Sequence, residues 1–276
     1  MWIDPDLYDI ENADDPAFDH GYWEWLVQET APARLLELAC GTGRVTIPLA
    51  RLGVASELVA LDYSAPFLAR LRERLAVEDE AVRDAVRVVE GDIRRPAVDG
   101  PFDAIIVPFN SLAYLITRDD RDACLTAARS LLEPGGMLAF DIVQPRYDFL
   151  AESTGSCPPL RVDIDHAAPD HGVTRFLRSY SDVYDPLTQT LRSTNRYEIH
   201  YAGGRVEHRI GDLDWHIYFP EELELLLENA GFRVVERYGD YERGPWTGTS
   251  RRYLWVAEAR YANSPRRDSS VGRAHD

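Results

Sequence analysis

The chain has 276 residues, of which 47 are acidic and 30 basic, and its formal net charge is -17. All 30 basic residues are arginine and lysine is absent, which excludes Schiff-base and pyridoxal-phosphate chemistry and any P-loop that needs a lysine on its phosphates. The acidic balance argues against nucleic acid and anionic membrane as partners, since both need clustered positive charge to displace counterions.

The length suits one domain with an insertion and an ample core. No run approaches 18 apolar residues, and the first arginine is Arg34, so the start lacks the positive region of a signal peptide. Three cysteines, Cys40, Cys124 and Cys157, show neither CxxC nor metal-ligand spacing. A reducing cytoplasm is the expected location.

An acidic lead, with seven carboxylates by Asp19, is expected to run into a helix from Pro16 to Glu29 carrying Phe18, Tyr22, Trp25 and Leu26 at helical spacing. Arg34 to Cys40 reads as a short buried strand, and Gly41-Thr42-Gly43 turns it into a helix ending near Gly53. Glu57 to Leu61 is the second strand; Ser64 then caps a helix whose buried stripe is Phe67, Leu68, Leu71 and Leu75. Val86 to Glu90 and Ala104 to Phe109 are strands three and four. A capping box at Thr117 and Asp120 starts a helix to Leu132, and Gly135-Gly136 releases strand five, Met137 to Ile142. This rhythm predicts a doubly wound parallel sheet with its ligand at the strand carboxyl ends.

From Pro145 to Trp215 the rhythm breaks into alternating runs, Val173 to Val183, Thr190 to Tyr201 and Arg205 to Asp212, which read as an antiparallel meander. A helix from Glu221 to Ala230 and strands Arg233 to Tyr238 and Tyr253 to Ala259 follow. With only a loop between them, the last two strands should be mutually antiparallel. The expected organisation is an N-terminal helical cap over 1–30, a core over 31–144 and 217–260, an inserted β subdomain over 145–216 that covers the site or makes a homodimer contact, and a tail over 261–276.

Three strand-end features fall in register. The glycine turn lets backbone approach a ligand; Asp62, 19 residues after Gly43, is placed to accept from ribose hydroxyls; Asp92 can take an exocyclic amine. The run Glu37-Leu38-Ala39-Cys40-Gly41-Thr42-Gly43, Asp62 with Ser64, Gly91-Asp92-Ile93 and Leu132-Glu133-Pro134-Gly135-Gly136 resembles the class I S-adenosylmethionine-dependent methyltransferases. That resemblance implies a Rossmann-like seven-stranded α/β sheet with an antiparallel last strand, and S-adenosylmethionine as cofactor with S-adenosylhomocysteine as product. It implies that Glu37, Gly41 and Gly43 hold the methionine part, Asp62 the ribose, and Asp92 with Ile93 the adenine, with Tyr8, Ala39, Tyr63 and Pro108 completing the cofactor site.

Phe109 to Leu115 after strand four, with the late insertion, is similar to the glycine and aminosugar N-methyltransferase groups. In the glycine enzymes an arginine just past the strand-five Asp holds the carboxylate; here Asp141 precedes Ile142, Val143, Gln144 and Pro145, and Arg146 comes too late. The expected reaction is methyl transfer to nitrogen or oxygen of a small-molecule acceptor. A non-catalytic S-adenosylmethionine-binding module and a nicotinamide oxidoreductase are the alternatives, the latter weakened by Thr46 where its fingerprint wants Gly or Ala. For a hydroxyl acceptor a general base is needed, and His216, leading out of the insertion, heads that list. Asp141, Asn110 and Tyr114 are expected at the transfer end.

Overall fold

The computed structural model describes residues 4–12, 19–155 and 158–260. Cys157, Pro16 to Phe18 of the first expected helix, and the expected tail lie outside the described residues.

Alternating strands and helices build the main sheet. In chain order they are α1 (Pro5–Glu11), α2 (His20–Thr30), β1 (Arg34–Leu38), α3 (Thr46–Arg51), β2 (Glu57–Asp62), α4 (Ala65–Leu75), α5 (Glu80–Ala85), β3 (Val86–Glu90), β4 (Phe102–Val107), α6 (Arg118–Leu131) and β5 (Leu132–Val143). After the inserted segment come α8 (Pro220–Asn229), β10 (Phe232–Tyr238) and β11 (Arg252–Ala259). The seven strands lie in the order β10-β11-β5-β4-β1-β2-β3. Parallel ladders join β1 to β2 and β4, β2 to β3, and β4 to β5, whereas β11 is antiparallel to both β5 and β10.

The near-continuous apolar runs of β1, β2 and β4 are those of strands covered on both faces. Leu36, Val59 and Ile105 fall in one buried cluster with α6 and α8, and Leu35, Leu58 and Ala104 in a second with α2, α3 and α4. All four residues of the expected stripe on α4 are buried. The order of strands reverses between β1 and β4. Their carboxyl ends therefore frame the crevice where such sheets take ligands.

The inserted segment carries α7 (Tyr147–Ser153), β6 (Arg161–Ala168), β7 (Val173–Asp185), β8 (Thr190–Tyr201) and β9 (Val206–His216). The four strands make a separate antiparallel sheet, paired in sequence order. Three helices escape the sequence reading: α1, α5 and α7. Each has only six or seven residues, too few for a periodic stripe to declare itself. The strand before the loop at Pro108 ends at Val107 rather than Phe109, because Phe109 and Asn110 both take left-handed φ, 61° and 60°. Among the described residues no helix is long and apolar enough to cross a membrane.

Candidate functional site

The glycine turn follows β1 with three left-handed residues, Ala39, Gly41 and Gly43, at φ of 59°, 59° and 82°. A Cβ on Gly43 would stand 2.2 Å from Leu71 Cδ1 of α4, so this glycine permits close helix packing; one on Gly41 would meet nothing nearer than 3.8 Å. The two glycines thus have different duties, one toward the protein and one toward open space.

Asp62, ending β2, holds the turn. Its Oδ2 accepts the Gly41 N–H at 2.9 Å and its Oδ1 the Ser64 N–H at 2.8 Å. Burial raises its carboxyl, while these backbone donors hold it down. The Tyr63 backbone N–H also contributes to holding this carboxyl, which as a carboxylate with about four acceptor positions still has room for a ribose hydroxyl. Glu37, 2% exposed, accepts from Thr46 Oγ1 at 2.6 Å, and burial pushes its carboxyl up to about 8. Pro108 is buried, Ile93 half-buried and Tyr63 exposed. Asp92, ending the rim at β3, is clasped by Arg94, which also reaches Asp120 and holds the Asp92 carboxyl below its usual range. This donor set, carboxylates and backbone N–H groups on adjacent strand ends with open space over Gly41, fits a cationic nucleoside cofactor.

The helix α1 covers this rim. Tyr8 sets its ring edge against Phe67 and Phe109, at 5.4 and 6.4 Å. Arg44 lies over Phe109 at 4.3 Å and grips Asp19, which is fully buried. Asp9 accepts from Thr42 Oγ1 of the glycine turn and pairs with Arg70 and Arg74 of α4 at 3.3 and 3.0 Å. The other side of α1 faces the inserted sheet, where Leu7 and Ile10 pack with Phe176 and Ile199, and Glu11 and Asp4 pair with Arg178 and Arg209. Asp9, Arg44 and Thr42 were not singled out from sequence; the density of carboxylates before Asp19 was the available sign.

At the end of β5, Asp141 is 0% exposed. Its oxygens accept the N–H groups of Phe109 and Asn110, the Tyr241 hydroxyl and the Arg252 guanidinium. The Asn110 side chain accepts the Val143 N–H at 3.0 Å. These two expected catalytic residues hold the strained loop after β4 in place, and Asp141 has its acceptor capacity taken up by the protein.

Tyr114, on a single 3-10 turn Ser111–Tyr114, sets its ring 6.4 Å from that of Trp215. Burial raises the Tyr114 hydroxyl. His216 is placed differently from its expected role. Strand alternation turns Trp215 toward Tyr114 and His216 the other way, where Nε2 meets Glu222 at 2.9 Å and the ring stands edge-on to Tyr218 at 4.7 Å. His216 is 3% exposed and lies against Glu222 and Tyr218. Strand phase, read from β9 as a whole, is the signal that would have pointed to Trp215.

Among the described residues no group of three His, Cys, Asp or Glu could hold a metal ion. Residues 35–136 match the methyltransferase domain family. A glycine/sarcosine N-methyltransferase of Parasynechococcus marenigrum is 26% identical over 231 residues, covering 79% of this chain and 69% of that protein. The structure of the CcbJ methyltransferase from Streptomyces caelestis is similar at a TM-score of 0.73 and 29% identity, over 89% of this chain and 96% of that one. The sugar N-methyltransferase KedS8 from Streptoalloteichus shares the fold at a TM-score of 0.67 and 21% identity, over 90% and 89% of the two chains.

Proposed function

The chain belongs to the S-adenosylmethionine-dependent methyltransferases, and we propose that within them it methylates the nitrogen of a small-molecule amine. S-adenosylmethionine supplies a sulfonium methyl that is already electrophilic and leaves as S-adenosylhomocysteine. Glu37, Ala39, Gly41 and Gly43 would hold its methionine part, Asp62 with Tyr63 its ribose, and Ile93 with the β3 end its adenine, under Tyr8 and beside Pro108. The hold of Arg94 on Asp92 leaves the adenine amine dependent on an exchange of partners there.

One observation carries the preference for nitrogen: the residues expected to serve as base at the transfer end are committed elsewhere. His216 faces Glu222, Asp141 is saturated by four protein donors, and burial pushes the Tyr114 hydroxyl up. A hydroxyl acceptor needs such a base; a neutral amine does not. With that methyl donor bound, an amine nitrogen would be methylated directly and its proton would pass to water, so the chain's own groups need only orient the acceptor. The loop locked by Asp141 and Asn110 fixes the approach, which is the main contribution a protein makes to an in-line transfer.

The N-methyltransferases among the similar proteins support the same acceptor atom. Glycine itself is disfavoured, because Arg146 is exposed and paired with Asp148. The net charge of -17 favours a small freely diffusing acceptor over nucleic acid or an anionic membrane. The test is a mass-shift screen with labelled cofactor against matched amines and alcohols. Transfer to amines is expected; transfer confined to alcohols would overturn the reading.

A further inference from the structure

The 3-10 turn that carries Tyr114 is held at both ends. At its start, Asp141 accepts the N–H groups of Phe109 and Asn110. Further along, two buried side chains from elsewhere in the chain take its carbonyls. Tyr218, 2% exposed, donates its hydroxyl to Leu112 O at 2.9 Å. Arg121, 8% exposed, donates through Nη1 to Leu115 O and Ile116 O at 3.1 and 2.8 Å. These three carbonyls bracket Tyr114.

The need for such donors is local. Leu115 leaves the turn with φ -82° and ψ 82°, and α6 begins only at Arg118, so the carbonyls of Leu115 and Ile116 belong to neither helix nor ladder. Carbonyls so placed need a donor, and one Nη1, with two N–H groups, serves both. Burying a guanidinium is unfavourable unless it is paired; here Glu222 of α8 stands 3.9 Å from Nη2. Glu222 in turn gathers the inserted sheet, meeting His216 at the end of β9 at 2.9 Å and Gln189 of the turn between β7 and β8 at 2.8 Å. The Tyr218 ring lies between, edge-on to His216 and 5.8 Å from the Arg121 guanidinium. The inserted sheet thus reaches Tyr114 twice, directly through the Trp215 ring and indirectly through the backbone on either side of it.

We propose that Arg121 and Tyr218 are positioning residues for methyl transfer: they fix the turn, the turn fixes the Tyr114 ring, and Tyr114 aligns the acceptor. The inference rests on the methyl-transfer reading, with Tyr114 at the transfer end, and adds to it two residues that act through the backbone. Transfer in line is sensitive to placement, a shift of about 1 Å caused by a distant residue costing about 100-fold.

The test labels the full chain with 3-fluorotyrosine, loads it with S-adenosylhomocysteine and compares fluorine spectra of wild type, Arg121→Met, Arg121→Lys and Tyr218→Phe. Tyr114→Phe and Tyr253→Phe assign two of the lines. The Tyr114 line should move or split in Arg121→Met and Tyr218→Phe, while the Tyr253 line on β11 and the affinity for S-adenosylhomocysteine stay as in wild type. With the most rapidly methylated amine of the mass-shift screen as acceptor, kcat should fall about fivefold in Tyr218→Phe, the worth of one hydrogen bond, at unchanged KM for S-adenosylmethionine. Arg121→Met should lose about 100-fold, and Arg121→Lys, which keeps N–H donors for the two carbonyls, should recover most of that loss. If Arg121→Met does not fold, Tyr218→Phe, which removes a single oxygen, decides. A Tyr114 line unmoved in Tyr218→Phe, a wild-type kcat there, or a parallel loss of S-adenosylhomocysteine binding overturns the inference. Absence of transfer to every amine by wild type overturns the N-methyl-transfer reading instead, and the Tyr114 line still decides this one.

Discussion

The two walls of the cleft are built on opposite plans. On the rim of the parallel sheet, the buried carboxylates Glu37, Asp62 and Asp141 each have partners within the chain. On the antiparallel sheet, Arg161 Nη1 and Trp215 Nε1 are buried without them among the described residues. The first wall is finished by folding and can position a cofactor with little rearrangement. The second keeps buried donors that folding alone does not satisfy.

The contrast breaks most visibly at Asp141. Replacing it with alanine strands Arg252, Tyr241 and two backbone N–H groups, and should cost about 3–5 kcal/mol of stability by urea denaturation. A loss near zero would mean the rim is not self-supporting. Asp62→Ala should weaken S-adenosylhomocysteine binding about 100-fold by calorimetry, the loss of about two charge-assisted hydrogen bonds, while the far-ultraviolet spectrum stays native.

Glu37 gives a pH signature to the finished wall. Burial holds its carboxyl at about 8, against about 4.3 in the unfolded chain. Between these values the folded protein keeps a proton that the unfolded one has lost. Its contribution to stability is therefore full below about pH 4.3, falls by up to about 1.4 kcal/mol per pH unit as pH rises, and levels off above the folded value. Glu37→Gln should remove that slope from urea midpoints measured across the window. The smallest effect belongs to His216→Gln: turnover and its pH profile should stay within about twofold of wild type, with a stability loss of about 1 kcal/mol from the Glu222 contact. A lost limb of the pH profile would restore His216 as a base.

The parallel half was legible because its information is local. A glycine turn, Asp62 at a strand end and the α4 stripe each declare themselves within a few neighbouring residues. The rest depends on pairing between distant segments. Asp141 meets Tyr241 and Arg252 from 100 and 111 residues away, and nothing near it in sequence announces that they will take its oxygens. Trp215 and His216 are adjacent, and only the register of β9 on β8 decides which one looks toward Tyr114. The strand β6 hides for a related reason: in Arg161–Ala168 only Ala168 is buried, so no alternation marks it.

The helix α1 has a consequence for how the two sheets hold together. It is tied to the glycine turn and α4 through Asp9, and to the inserted sheet through Leu7, Ile10 and two ion pairs. One short helix thus joins the two sheets, and whatever loosens it from the glycine turn also strains its ties to the inserted strands. Several of those ties are ion pairs with partly exposed members, so rising ionic strength weakens the join on both sides together.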